Sequence, residues 1–159
     1  MQQANASRAI LGGFVATLAL TLLLYLLPYA GGPKMDIAAA LGSLFGHGIP
    51  AAMSGWWWAG IVWHALNGTF VFSLLYAYLV YGWLRGEDWL RGTVWGLVLW
   101  AAMEIVFMPL TRRGIFDDQA LHPAAHVLAS IILLAIYGAV LGAVAGEQAE
   151  HHLHVAHPA

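Results

Sequence analysis

The stretch from Gly55 to Trp83, GWWWAGIVWHALNGTFVFSLLYAYLVYGW, holds one histidine and no other charge-bearing side chain of the Asp, Glu, Lys or Arg type. At about 1.5 Å per residue it reaches roughly 43 Å as a helix, enough to cross a hydrocarbon core of about 30 Å and enter both headgroup layers. Trp56, Trp57 and Trp58 mark one interface, and Tyr81 and Trp83 the other. His64 then lies about 9 Å beneath the first indole cluster, where a titratable group is costly unless it faces protein, water or a ligand.

Composition extends this reading to the whole chain. Hydrophobic residues make up 61% and charged residues 9%, which excludes a soluble domain of this length and implies an integral membrane protein in contact with the lipid bilayer. A net charge of −2 without a basic stripe leaves no footprint for nucleic acid. Cysteine is absent, which removes disulfides, thiolate metal sites, iron–sulfur clusters and cysteine nucleophiles together.

Four apolar segments are expected to span the membrane, at about 9–29, 55–83, 92–110 and 121–146, forming an all-α integral membrane four-helix bundle over residues 1–146. The first is longer than a secretory core, and the Pro28 to Pro33 stretch that follows resembles a helix stop more than a cleavage site, so the segment is expected to stay attached. In the first loop, Asp36 is the expected N-cap of a short helix, with Ile37, Leu41, Leu44 and Phe45 at helical spacing, lying in the interface as a lid. Pro109 closes the third span, and Pro123 opens the fourth with His122 as its cap. Gly92 and Gly96 on the third span, and Gly138, Gly142 and Gly146 on the fourth, are spaced for close backbone packing. Residues 147–159 form a polar tail with four histidines.

Four spans put both termini and the Leu84–Arg91 turn on one face, and loops one and three on the other. Lys and Arg residues near the spans divide evenly between the faces, so the positive-inside rule ties; the amino terminus tips the expectation toward cytoplasmic termini. With that topology His64, Glu104 and His126 fall in one layer near the loop face. Asn67 lies one turn deeper than His64, and His122, Arg112 and Arg113 sit at the rim.

Three accounts fit that layer. In the first, His64, Asn67, Glu104 and His126 form a structural polar layer that fixes helix register. In the second, His64 and His126 ligate a haem b, with Arg112 and Arg113 on its propionates. In the third, His64, Glu104, His126 and His122 supply ligands to a single metal ion. A proton relay or small-molecule site is also chemically compatible. Asp36 is expected to pair with Arg112 or Arg113 across the loop face. Ser73 and Ser130 lie in apolar runs with no histidine and carboxylate beside them in sequence, which gives nucleophilic catalysis no support.

Pro33-Lys34-Met35-Asp36, His64-Ala65-Leu66-Asn67-Gly68, Met108-Pro109 and Gly114-Ile115-Phe116 together resemble a family of small four-span bacterial membrane proteins with no assigned activity. The resemblance implies the same topology and a part for Asp36, His64 and Asn67. The resulting functional expectation is an accessory or stabilising subunit of a larger complex in the bacterial inner membrane. That complex is of the electron-transfer kind, respiratory or photosynthetic, and the chain meets other membrane subunits and has no catalytic activity of its own. The alternative is an autonomous haem- or metal-binding membrane protein.

Overall fold

A computed structural model of the chain describes residues 4–111, 113–118 and 120–146. Among them the regular elements are all helical: α1 (Ala6–Ala30), α2 (Ile37–Gly42), α3 (Gly55–Val80), α4 (Asp88–Leu110) and α5 (Pro123–Gly146), with a short 3₁₀ turn at Ile115–Asp117. By length and composition α1, α3, α4 and α5 can each cross a membrane, close to the four expected segments. The chain is therefore read as a multi-pass, all-α membrane protein. The histidine tail at 147–159 lies outside the described residues.

The helix ends follow local chemistry. The Asn5 side chain accepts the amide N–H of Ser7 at 2.9 Å, and the Ser54 hydroxyl accepts that of Trp57 at 3.4 Å. Both take up amides that a first helical turn leaves unpaired. Pro123 opens α5 as expected, while the carbonyl of His122 accepts the amide of His126 at 3.1 Å. Asp36 caps α2 by accepting from the amide of Ala39 at 2.9 Å. This helix lies against α3 with Ala38 to Gly42 buried, so it covers the loop-face end of that span. Small residues allow this: a side chain on Gly60 would strike the carbonyl of Ala38, and one on Gly42 that of Trp56.

Around the bundle, α5 packs along both α1 and α4, while α3 packs along α1. Gly92 and Gly96 on α4 meet Gly138 and Gly142 on α5 so closely that an added Cβ at any of them would meet backbone of the facing helix. This is the small-residue packing expected from their spacing, and it suits a solvent in which apolar surface alone does not drive helices together.

At the end bearing the short Leu84–Arg91 turn, α3 and α4 are tied by polar contacts. The Trp95 indole donates to the carbonyl of Phe72 at 3.1 Å, and the Tyr81 hydroxyl donates to Asp88 Oδ1 at 2.9 Å. Arg91 pairs with Asp88 at 3.5 Å and lies over the Tyr81 ring at 5.0 Å. Burial, and then the bond to Asp88, push the Tyr81 phenol above its usual range, which keeps it a donor. Toward the opposite face the two helices part, and no extended backbone contact joins Gly55–Leu66 to Met103–Leu110.

Three turns in these two helices are π-helical, at Asn67–Val71, Tyr76–Val80 and Met103–Phe107. In each the closing amide reaches back five residues, as from Phe72 to Asn67 and from Met108 to Met103. Single π turns inside α-helices mark places where a side chain has been re-aimed, frequently at functional sites.

Two measurements check this architecture. Replacing Gly138 with Leu forces α4 off α5 and is expected to cost about 1–3 kcal/mol or more of unfolding free energy in detergent; Leu128→Ala, on an exposed flank of the same helix, should change stability by about 0.5 kcal/mol or less. Because the chain has no cysteine, His47→Cys and Arg85→Cys variants can be labelled with an impermeant maleimide from either side of sealed vesicles. They should react from opposite sides, and labelling from the same side would break the four-span topology.

Candidate functional site

A cavity of about 90 Å³ lies inside the bundle and takes wall residues from all four long helices, among them Thr17, His64, Glu104, Ser130 and Tyr137. Most of its remaining wall is apolar, including Leu20, Met103, Met108 and Leu133. Glu104 comes to it from the π turn of α4 and is 3% exposed. Its Oε1 accepts from the Ser130 hydroxyl at 2.7 Å, and the Ser130 oxygen in turn accepts from the Trp100 indole N–H at 3.0 Å. Oε2 is buried and has no hydrogen-bond partner among the described residues. A charged side chain at the centre of a membrane helix costs about 2.5–3.5 kcal/mol on insertion scales, and a carboxyl with one oxygen unpaired adds to that cost.

His64 reaches the same cavity from α3. Its Nε2 lies 3.0 Å from Thr21 Oγ1, and the Thr21 hydroxyl donates its own proton to the carbonyl of Thr17 at 2.7 Å. A hydroxyl has one proton to give, so Nε2 must be the donor in the first contact. In the neutral ring this leaves Nδ1 as a bare acceptor. The cavity thus carries a carboxyl oxygen and an imidazole in otherwise apolar surroundings, the composition of a small-molecule site.

A second site opens on the loop face, as a cleft of about 450 Å³. Its floor is Asp117, 4% exposed, which receives Arg113 Nη1 on Oδ2 at 3.2 Å and has His126 Nδ1 3.0 Å from the same oxygen. The imidazole contact has ion-pair distance without hydrogen-bond alignment. An unusual backbone aims this acid inward: Phe116 and Asp117 have φ of 59° and 50°, and Gly114 has φ 76° with ψ 178°. The last conformation is open almost only to glycine. A side chain there would also collide with the Asp118 carboxylate.

The expected single layer therefore divides. His64 and Glu104 share the bundle cavity, whereas His126 and His122 line the loop-face cleft. His126 turns outward because Asp117, brought over the first turn of α5 by the left-handed turn, offers it a carboxylate. Asn67 is half-buried in the π turn of α3 and lines neither site. The expected pairing of Asp36 with the loop-three arginines is replaced as well. Asp36 accepts from the Trp57 indole at 3.1 and 3.2 Å besides capping α2, and Arg113 is taken by Asp117; Arg112 lies outside the described residues.

Neither cofactor account fits this geometry. Among the described residues no three His, Cys, Asp or Glu side chains gather closely enough to hold a metal ion. His64 and His126 open onto different spaces, so they do not converge on one iron. Thr21, Trp100 and Ser130 are functional neighbours that the sequence reading passed over. Ser130 was set aside for want of a carboxylate beside it in sequence, and the fold supplies one from another helix. Among the described residues no histidine is hydrogen-bonded to that pair.

The chain was also compared with known proteins. A family model described as a family of unknown function, DUF6789, matches residues 3–155. The chain belongs to this family. Membership agrees with the resemblance carried by the loop and span motifs and brings no activity with it. No curated protein and no solved structure matches the chain.

The loop-face turn yields a test of its own. Gly114→Ala should destabilise the protein by about 1–3 kcal/mol through the forced backbone conformation, read as a lowered unfolding midpoint in detergent.

Proposed function

We propose that this protein is a small membrane-embedded binding subunit. Its bundle cavity holds the polar head of a lipid-soluble molecule, with Glu104 and His64 as the recognising groups. The observation that carries the reading is that Glu104, 3% exposed and with Oε2 unpaired among the described residues, lines a cavity that it shares with His64. An intramembrane carboxyl normally finds partners within its own bundle, and leaving one oxygen open is costly unless something else fills the position. At about 90 Å³ the enclosed space takes a carbonyl, hydroxyl or carboxyl head with little more attached, so an apolar remainder has to leave the bundle. Toward the loop face no extended backbone contact joins α3 to α4, and Met35 and Ile37 stand in the cavity wall, so that side is where the remainder would pass.

A lipid-soluble molecule with a carbonyl or hydroxyl head is what electron-transfer complexes exchange with the bilayer. The wider role we favour is therefore that of an accessory subunit beside a larger complex in the bacterial inner membrane, with cytoplasmic termini. The exposed indoles of Trp56, Trp58 and Trp63 near the loop-face end of α3 support such a seating, being large rigid contact surfaces of the kind that dominate interfaces.

The test is direct. The full chain, purified gently in detergent, should carry a lipid-soluble compound near one-to-one by solvent extraction and mass spectrometry. Glu104→Leu should lose it, and Glu104→Gln, which keeps a bonding oxygen, should retain part. Adding an alkyl benzoquinone, a medium-chain alcohol or a medium-chain fatty acid should raise the unfolding free energy for the matching head, by about 2.7 kcal/mol at a hundredfold excess over Kd. Equal retention by wild type, Glu104→Leu and His64→Leu would sink the proposal.

A further inference from the structure

The loop-face cleft carries a separate assignment. It is bordered by the chain just past α1, by the end of α4 and by the residues leading into α5, through Lys34, Thr111 and His122 among others. These are the ends of three spans, so the cleft opens at the depth of lipid headgroups. Its balance of donors and acceptors is one-sided. Asp117 is the acid that lines it among the described residues, and its Oδ2 is already occupied by Arg113 and approached by His126. Two hydroxyls on its wall have spent their protons on backbone: Thr111 donates to the carbonyl of Met108 at 2.9 Å, and Ser43 to that of Ala40 at 2.6 Å.

What remains open are donors. Lys34 is exposed and makes no hydrogen bond or ion pair among the described residues. Arg113 uses Nη1 on Asp117, and its other guanidinium nitrogens make no bond there. The exposed ring of His122 is likewise uncommitted. The two cations come from different connections, Lys34 from that between α1 and α2 and Arg113 from that between α4 and α5. A phosphate, with several oxygens in a tetrahedron, can accept from an ammonium and a guanidinium at once, and its charge answers both cations. The strained turn contributes too, since Asp117 fixes the Arg113 head against the cleft floor, so the cation is held in place before any ligand arrives.

We propose that the loop-face cleft binds a phosphate-bearing ligand through Lys34 and Arg113, with Asp117 as the positioning residue for the guanidinium. The phosphate belongs either to a phospholipid headgroup of the surrounding bilayer or to a free phosphate compound in solution. This rests on different residues from the bundle cavity, and either assignment can fail without the other.

Delipidated full chain in detergent, titrated calorimetrically with short-chain phosphatidic acid, inorganic phosphate and, as a phosphate-free comparison, short-chain diacylglycerol, decides it. Saturable binding of phosphatidic acid alone identifies a lipid headgroup site, and binding of inorganic phosphate as well identifies a general phosphate site. Lys34→Gln, which disturbs no existing bond, should weaken the phosphate-bearing probe about tenfold, and adding Arg113→Gln should abolish binding. Glu104→Leu should leave it unchanged. Raising salt should weaken it further, as for any ion-paired ligand. The proposal is overturned if neither phosphate probe binds, or if diacylglycerol binds as well as phosphatidic acid. It is overturned equally if Lys34→Gln binds like wild type, an arm that stands even where Arg113→Gln fails to fold.

Discussion

A carboxyl group carried to membrane depth constrains everything around it, because lipid offers no hydrogen bonds and water is distant. Glu104 meets that constraint with a chain of donors that crosses the bundle: the Trp100 indole gives to Ser130, and Ser130 gives to Glu104. The contact joins α4 to α5 by side chains, on the same two helices that approach most closely through glycine. Close backbone packing and the polar bond support one another. Without the small residues the serine on α5 would stand too far from the acid, and without the serine the acid would have neither oxygen satisfied.

The same logic sets the order of helices. α5 is the shared neighbour of α1 and α4, and α1 is the neighbour of α3. α3 meets the bundle through Gly13 of α1, which faces the carbonyls of Gly68 and Thr69. The Tyr137 hydroxyl of α5 also donates to the Gly68 carbonyl at 2.6 Å. That carbonyl can take an outside donor because π winding loosens the local ladder of backbone bonds at Asn67–Val71. The irregular turns are thus where the helices exchange polar contacts.

Much of the fold could be read from the chain because membrane solvation acts on long stretches. Apolar length, Asp36 as a cap and Pro123 as a first helical residue all act locally, and each stands where the sequence put it. The site was legible only in part. Depth along each helix can be counted from topology, and this brought His64 and Glu104 to one cavity. Rotation about each helix cannot be counted so, since a buried residue and a lipid-facing residue are equally apolar here. His126 was misassigned for that reason and for another: its partner Asp117 depends on left-handed backbone at a phenylalanine and an aspartate, which no composition rule anticipates. The α2 helix itself could be read from its cap and spacing, but its packing on α3, where Ala38 meets Gly60, is a long-range fit hidden in residues that look neutral.

The π turns also change what a helix can be in this protein. A residue added to a turn advances the following side chains by up to about 100° around the axis, so α4 behaves as two rods sharing one backbone, indexed differently on either side of Met103–Phe107. The segment before the turn faces α5 with its glycines, and the segment after it ends at Leu110 on the rim of the loop-face cleft. Glu104 stands within the joint itself. Its direction is therefore set by how the turn is wound, and a helix able to relax from π to α winding at that joint would carry the carboxyl around with it, as a dial turns its pointer.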